Sequence, residues 1–137
     1  MKNYLIAGLL GLLLISCKKD NEDARQILAG QWELRQSAGG IAGVIDYPAG
    51  NGFIIEFSLN NKFRYIYPAN ANAIERSGMY EIKKSSSAGN WLLTLQYNLN
   101  NAPVSETSAV QLDNKKLVFL PKESCCDVPS IAYEHLP

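Results

Sequence analysis

An excess of charge of either sign is missing from this chain: 13 basic and 13 acidic side chains cancel. The balance argues against a nucleic-acid partner, which normally needs a basic patch. Histidine occurs once, at His135, and a lone imidazole near the C-terminus reads as a surface residue. A hydrolase triad has no support, because there is no G-x-S-x-G elbow and nothing orients His135. Asp46, Glu56 and Glu81 are scattered without a pairing that acid–base work would require. Phosphate loops are absent as well; Gly39-Gly40-Ile41-Ala42-Gly43 follows a strand without opening a clear helix and reads as a mobile loop. These absences lead to the expectation of a non-enzymatic protein with no metal and no cofactor.

Long apolar runs are lacking too. The longest, Tyr4 to Ile15, has twelve residues. As a helix it spans about 18 Å, short of the ~30 Å hydrocarbon core of a bilayer. That length fits the apolar segment of a signal peptide. Lys2 precedes the run, Leu14-Ile15-Ser16-Cys17 ends it, and Lys18-Lys19 follow. This order resembles the lipobox of bacterial lipoproteins. The resemblance implies removal of residues 1–16 and acylation of Cys17, the first residue of the mature chain. An ordinary secretory signal is the plainer alternative. A buried apolar helix is weakened by Gly8 and Gly11. Three acyl chains, as in that family, make a lasting anchor, whereas one is marginal. By the same resemblance, Lys18 is not the aspartate that favours inner-membrane retention. The expected location is the bacterial envelope, anchored by N-terminal lipid, at the outer membrane.

Taking 16 residues from 137 leaves 121, one domain's worth, and taking Lys2 from the 13 basic residues leaves 12 against 13 acidic ones. Residues 17–29 read as the lipidated cysteine and a solvated tether, with a short helix over Asp23 to Leu28 stopped by Gly30. Residues 30–137 read as β structure. Gln31 to Arg35 counts as the first strand. Phe53, Ile55 and Phe57 alternate with Ile54, Glu56 and Ser58; after an Asn60-Asn61 turn, Phe63, Tyr65 and Tyr67 alternate with Lys62, Arg64 and Ile66. Strands follow over Glu75–Lys83, Trp91–Tyr97, Thr107–Leu112, Lys116–Leu120 and Ser130–Glu134, with Asn98 to Pro103 as a break. About eight strands joined by short turns predict an antiparallel up-and-down barrel, with a β-sandwich as the alternative.

Gly30-Gln31-Trp32-Glu33-Leu34 resembles the G-x-W-x-L opening of lipocalin-like proteins. Phe57-Ser58-Leu59-Asn60-Asn61-Lys62-Phe63 and Ser77-Gly78-Met79-Tyr80-Glu81-Ile82 are similar to a hairpin and a following strand of small lipocalin-like lipoproteins of the Gram-negative envelope. Asn61 stands where glycine is commoner, a place asparagine tolerates at positive φ. The second and third signatures of secreted lipocalins are missing. The resemblance implies a barrel with Trp32 packed across its closed bottom.

Phe53, Phe57, Phe63, Tyr65, Tyr80, Trp91 and Tyr97 fall on the inward face of the alternation. They either line a pocket for a small apolar or amphipathic ligand or fill the interior, since eight strands leave a space that side chains can occupy. A filled barrel would suit the alternative role, a module or inhibitor that binds an envelope protein through its rim. In either case the long first loop, Ser37 to Gly52, lies over the mouth and is the candidate specificity element. With Cys17 committed to lipid, Cys125 and Cys126 remain. Adjacent Cα atoms about 3.8 Å apart make a disulfide between neighbours strained. A vicinal disulfide, two free thiols and a metal or redox site all stay open, and the spacing to His135 does not match a zinc motif.

Overall fold

The computed structural model describes residues 19–87, 89–121 and 128–137. The lipobox with Cys17, and the pair Cys125-Cys126, lie outside the described residues. A helix, α1 (residues 19–28), leads into nine strands: β1 (Gly30–Ala38), β2 (Val44–Asp46), β3 (Ile54–Phe57), β4 (Lys62–Ile66), β5 (Ser77–Lys84), β6 (Trp91–Leu99), β7 (Ala102–Leu112), β8 (Lys116–Phe119) and β9 (Ser130–His135). All neighbours run antiparallel, and pairing of β1 with both β3 and β9 closes an eight-stranded up-and-down barrel, lipocalin-like in architecture. The extra strand, β2, pairs with the far half of β1 through Gln36↔Asp46 to Ala38↔Val44.

Period-two alternation builds the core. Ile55 and Phe57 (β3), Phe63 (β4), Tyr80 and Ile82 (β5), Leu93, Leu95 and Tyr97 (β6), Val110 (β7) and Leu117 (β8) are all buried. Gly78 faces Phe63 on one side and Tyr97 on the other, and across its missing side chain those two rings meet edge-to-face at 6.2 Å. A Cβ at Gly78 would sit 2.0 Å from the Gln96 carbonyl oxygen, so the strands approach there as only glycine permits.

α1 closes one end. Ala24 and Leu28, four residues apart on one helix face, are buried in the barrel core. Trp32 is fully buried beneath the helix, its indole Nε1 donating to the Leu28 carbonyl at 2.7 Å. Ion pairing joins the helix to the strands: Asp20 to Lys84 Nζ at 3.0 Å, with Asn21 Oδ1 accepting from the Lys84 backbone N–H and Asn61 Oδ1 from Arg25. From residue 19 onward, then, the expected solvated tether is a docked helix. Those polar residues find partners on the strands, and Ala24 and Leu28 reach the core one turn apart.

Three further expectations change. The break expected over Asn98 to Pro103 narrows to a two-residue turn, Asn100-Asn101, both at positive φ, the geometry that suits a tight hairpin, with β6 and β7 paired right up to it. The loop from Ser37 to Gly52 contains the end of β1 and all of β2. His135 is half-buried, packed edge-on to Trp32 at 4.7 Å, and close enough to Gly30 that a Cβ there would lie 2.4 Å from its Nε2. Asn61, by contrast, takes positive φ (63°) at the β3–β4 turn as expected.

Candidate functional site

α1 and the turns after β3, β5 and β7 occupy one end of the barrel. The opposite end, where β4, β6 and β8 finish, is the mouth. There a cavity of about 310 Å³ is lined by Tyr65 of β4, Ser108 of β7, Phe119 and Leu120 at the end of β8, Val128 and Pro129, and Ile131 and Tyr133 of β9. Phe119 and Tyr133 meet edge-to-face at 5.8 Å on one wall. Tyr65 stacks on Tyr67 (6.0 Å, interplanar angle 12°), which meets Phe53 edge-to-face. Burial pushes the Tyr133 hydroxyl up to about 12 and the Tyr65 hydroxyl higher still, with nearby tyrosines adding to both shifts. Both phenols therefore stay protonated and able to donate at any ordinary pH.

Below the cavity the interior is packed. Phe57 meets Tyr80 edge-to-face at 5.1 Å and Phe63 at 6.5 Å, and the Tyr80 hydroxyl donates to the Ser58 carbonyl. Tyr97 reaches upward, its hydroxyl donating to Glu106 Oε1 at 2.9 Å while the Arg76 guanidinium lies 5.7 Å from its ring centre. Burial is the main reason that its hydroxyl, too, is raised above the ordinary value, with Glu106 adding to the effect.

The seven aromatic residues expected to face inward, either lining a pocket or filling the interior, are divided between the two roles. Phe57, Phe63, Tyr80 and Tyr97 belong to the filled core. Trp91 packs against that core at the helix end of β6, and Phe53 precedes β3 and stands behind Tyr67. Of the seven, Tyr65 lines the cavity. The physical reason is barrel height: inward positions recur along the whole strand, but the guest space occupies its last turns. Sequence reasoning missed Ser108, Phe119, Ile131 and Tyr133. Their signal is in the sequence, because Leu117/Phe119 and Ile131/Tyr133 each alternate inward along β8 and β9.

On the outer wall a polar strap secures the segment before β3. Glu33 is 3% exposed, and its carboxylate accepts from the backbone N–H of Gly50 (3.1 Å) and Gly52 (3.3 Å). Both glycines hold positive φ, which aims their N–H groups inward. Arg35 Nη1 lies 2.6 Å from Glu33 Oε2, off the hydrogen-bond line, while its Nε donates to Glu134 at 2.9 Å. Arg35 thereby offsets the repulsion of Glu33 and Glu134, which sit directly opposite each other on β1 and β9. Burial raises the Glu33 carboxyl, but the two N–H groups and Arg35 outweigh it and leave it below its ordinary value. Asn51 adds hydrogen bonds to the carbonyls of Leu34 and Pro48. The first loop is thus tied down over residues 47–53; the freely exposed part is its tip, with Ile41 98% and Val44 65% exposed.

Wider grooves of about 440 Å³ flank Met79 on the outside of the barrel, lined mostly by residues whose side chains face solvent. Among the described residues, no three His, Cys, Asp or Glu side chains converge as a metal site, and no helix is long and apolar enough to cross a membrane. Set beside family models, curated proteins and solved structures, the chain matches none of them.

Proposed function

We propose that this chain is a lipid-anchored, non-enzymatic protein of the bacterial envelope, at the outer membrane, that binds a small amphipathic molecule at the mouth of its barrel. The observation that carries the proposal is the 310 Å³ cavity at the mouth. Its size is at the lower end of small-molecule sites, about 300–1,000 Å³, and its make-up is typical of them, aromatic and aliphatic walls with a few convergent polar groups. Tyr65 and Tyr133 offer hydroxyls and Ser108 a third, set among Phe119, Leu120 and Ile131. Such walls accept one ring system or a short chain, and the hydroxyls orient its polar end. The anchor is supported by the lipobox order around Cys17.

Native mass spectrometry of protein purified from its own envelope tests the reading by showing a co-purified guest. As a defined probe, 1-anilinonaphthalene-8-sulfonate should bind with saturable fluorescence in the wild type and lose it in Ser108→Trp, which fills the cavity. Equal fluorescence in both would refute the site. The second reading, a protein-interaction module, draws on the exposed apolar tip at Ile41, Val44 and Ile45. It predicts that Ile41→Ser and Val44→Ser abolish capture of an envelope partner while leaving the probe's binding intact.

A further inference from the structure

Two opposite charges face into the barrel near its mouth, one on each side of Tyr97. Arg76, half-buried, continues the inward alternation of Gly78, Tyr80 and Ile82 on β5. Its carbonyl accepts from the Tyr65 N–H at 2.8 Å, which sets it across from a residue of the cavity wall. Glu106 lies two residues from Ser108 on the inward face of β7, opposite buried Leu95. Tyr97 holds the two charges apart: its hydroxyl donates to Glu106 Oε1 at 2.9 Å, and the Arg76 guanidinium rests 5.7 Å from its ring centre. A contact over an aromatic face leaves the guanidinium N–H fork unspent. Among the described residues neither charge has an ion pair, and Glu106 Oε2 has no hydrogen bond. The Tyr65 hydroxyl, raised chiefly by burial and then by Tyr133 and Tyr67, senses both charges, Arg76 working to lower it and Glu106 to raise it.

The mouth is thus two-sided. Guanidinium, carboxylate and the Ser108 hydroxyl follow one another from β5 to β7, and β8 and β9 present Phe119, Ile131 and Tyr133 across from them. A charge partly withdrawn from water without a counter-charge costs free energy that a guest of opposite sign restores. Here the two charges cancel, so a plain anion is repelled by Glu106 and a plain cation by Arg76. A head group bearing both signs satisfies both. On the reading that the mouth is the binding site, we propose that it selects an aromatic α-amino acid as the zwitterion, with the carboxylate on Arg76, the ammonium on Glu106 and the side chain in the cavity. An α-amino acid carries both groups on one carbon. With a charge-assisted hydrogen bond of about 2.8 Å at each end, it spans two side chains separated by one phenol. The guanidinium fork matches a carboxylate in two bonds, and the aromatic side chain meets the rings of Phe119 and Tyr133.

Isothermal titration of the full-length protein tests this with L-tryptophan, indole-3-propanoate (no ammonium) and tryptamine (no carboxylate). Tryptophan should bind at least about tenfold more tightly than either analogue. Arg76→Gln should weaken tryptophan and indole-3-propanoate about tenfold without weakening tryptamine. Glu106→Gln, which still accepts from Tyr97, should weaken tryptophan and tryptamine but not indole-3-propanoate. The comparison of the three compounds on the wild type decides the matter even where a variant fails to fold. A wild type that binds 1-anilinonaphthalene-8-sulfonate in the Ser108-dependent way, yet shows no preference for tryptophan, refutes the zwitterion alone. Tryptophan bound equally by the wild type and either folded variant does the same. A wild type that binds neither probe refutes the mouth reading and the zwitterion with it.

Discussion

The two ends of this barrel are held by different physics. At the helix end, Leu28 and Trp32 are fully out of water, His135 packs edge-on against the indole, and the one polar atom of that indole finds a carbonyl 2.7 Å away. Apolar burial stabilises this end, with the buried indole N–H paired. At the mouth, Tyr65, Phe119 and Tyr133 are half-buried around a hollow, and the segment beside it is held from outside by a buried carboxylate gripping backbone N–H groups. The closed end is a packed apolar seal, whereas the mouth keeps a hollow that can be shaped for a guest.

The sharpest way to break that contrast is Trp32→Ala. Truncating a fully buried tryptophan leaves a large cavity and should cost about 3–5 kcal/mol, read as a lower urea midpoint. A similar loss on truncating Tyr133 would erase the distinction between the ends. Next comes Glu33→Ala, expected to cost about 2–3 kcal/mol because it strands two backbone donors and removes the Arg35 partner. The same strap predicts acid sensitivity. A carboxyl held below its ordinary value in the native state stabilises the fold above the usual carboxylate range and loses that contribution as pH falls through its own lowered value. The wild type should therefore lose stability on acidification more steeply than Glu33→Gln. Parallel pH profiles would show that Glu33 does not carry the strap. Gly78→Ala should cost about 2 kcal/mol, since its methyl would meet the Gln96 carbonyl oxygen and the strands must part. Because Gly78 lies in the packed part of the interior, thermal unfolding should register the loss while probe binding at the mouth holds.

Much of the barrel was legible because alternation is a local signal: Phe57, Phe63, Tyr80 and Leu93 announce their faces within a few residues of chain. Trp32 and the positive φ at Asn61 were legible for the same reason. What escaped was set by partners far off in sequence. Ala24 and Leu28 form too short an apolar pair to announce a docked helix, and Lys84 and Asn61, which fix it, lie 64 and 36 residues from their partners. β2 is three exposed residues recruited by β1. The candidate site was the least legible part, because strand periodicity says which residues face inward but not at what height the packing stops.

The smallest expected effect on stability is also the most informative about the mouth. Replacing Tyr133 by Phe removes one hydroxyl and leaves the ring against Phe119. A hydroxyl kept mostly out of water without strong pairing contributes little to folding, so the change should be within about 1 kcal/mol of neutral. At high pH its consequence grows. In the wild type, burial holds Tyr133 protonated up to about 12, above the ordinary 10.0. The unfolded chain thus ionises first, and native stability falls as pH rises from 10 toward 12. Tyr133→Phe should flatten that decline and remove one late-ionising phenol from the ultraviolet titration, while weakening any guest that accepts a hydrogen bond from the hydroxyl. An unchanged alkaline profile would mean that the mouth already admits enough water to solvate the phenolate, and the hollow would then be a wet rim rather than a binding cavity.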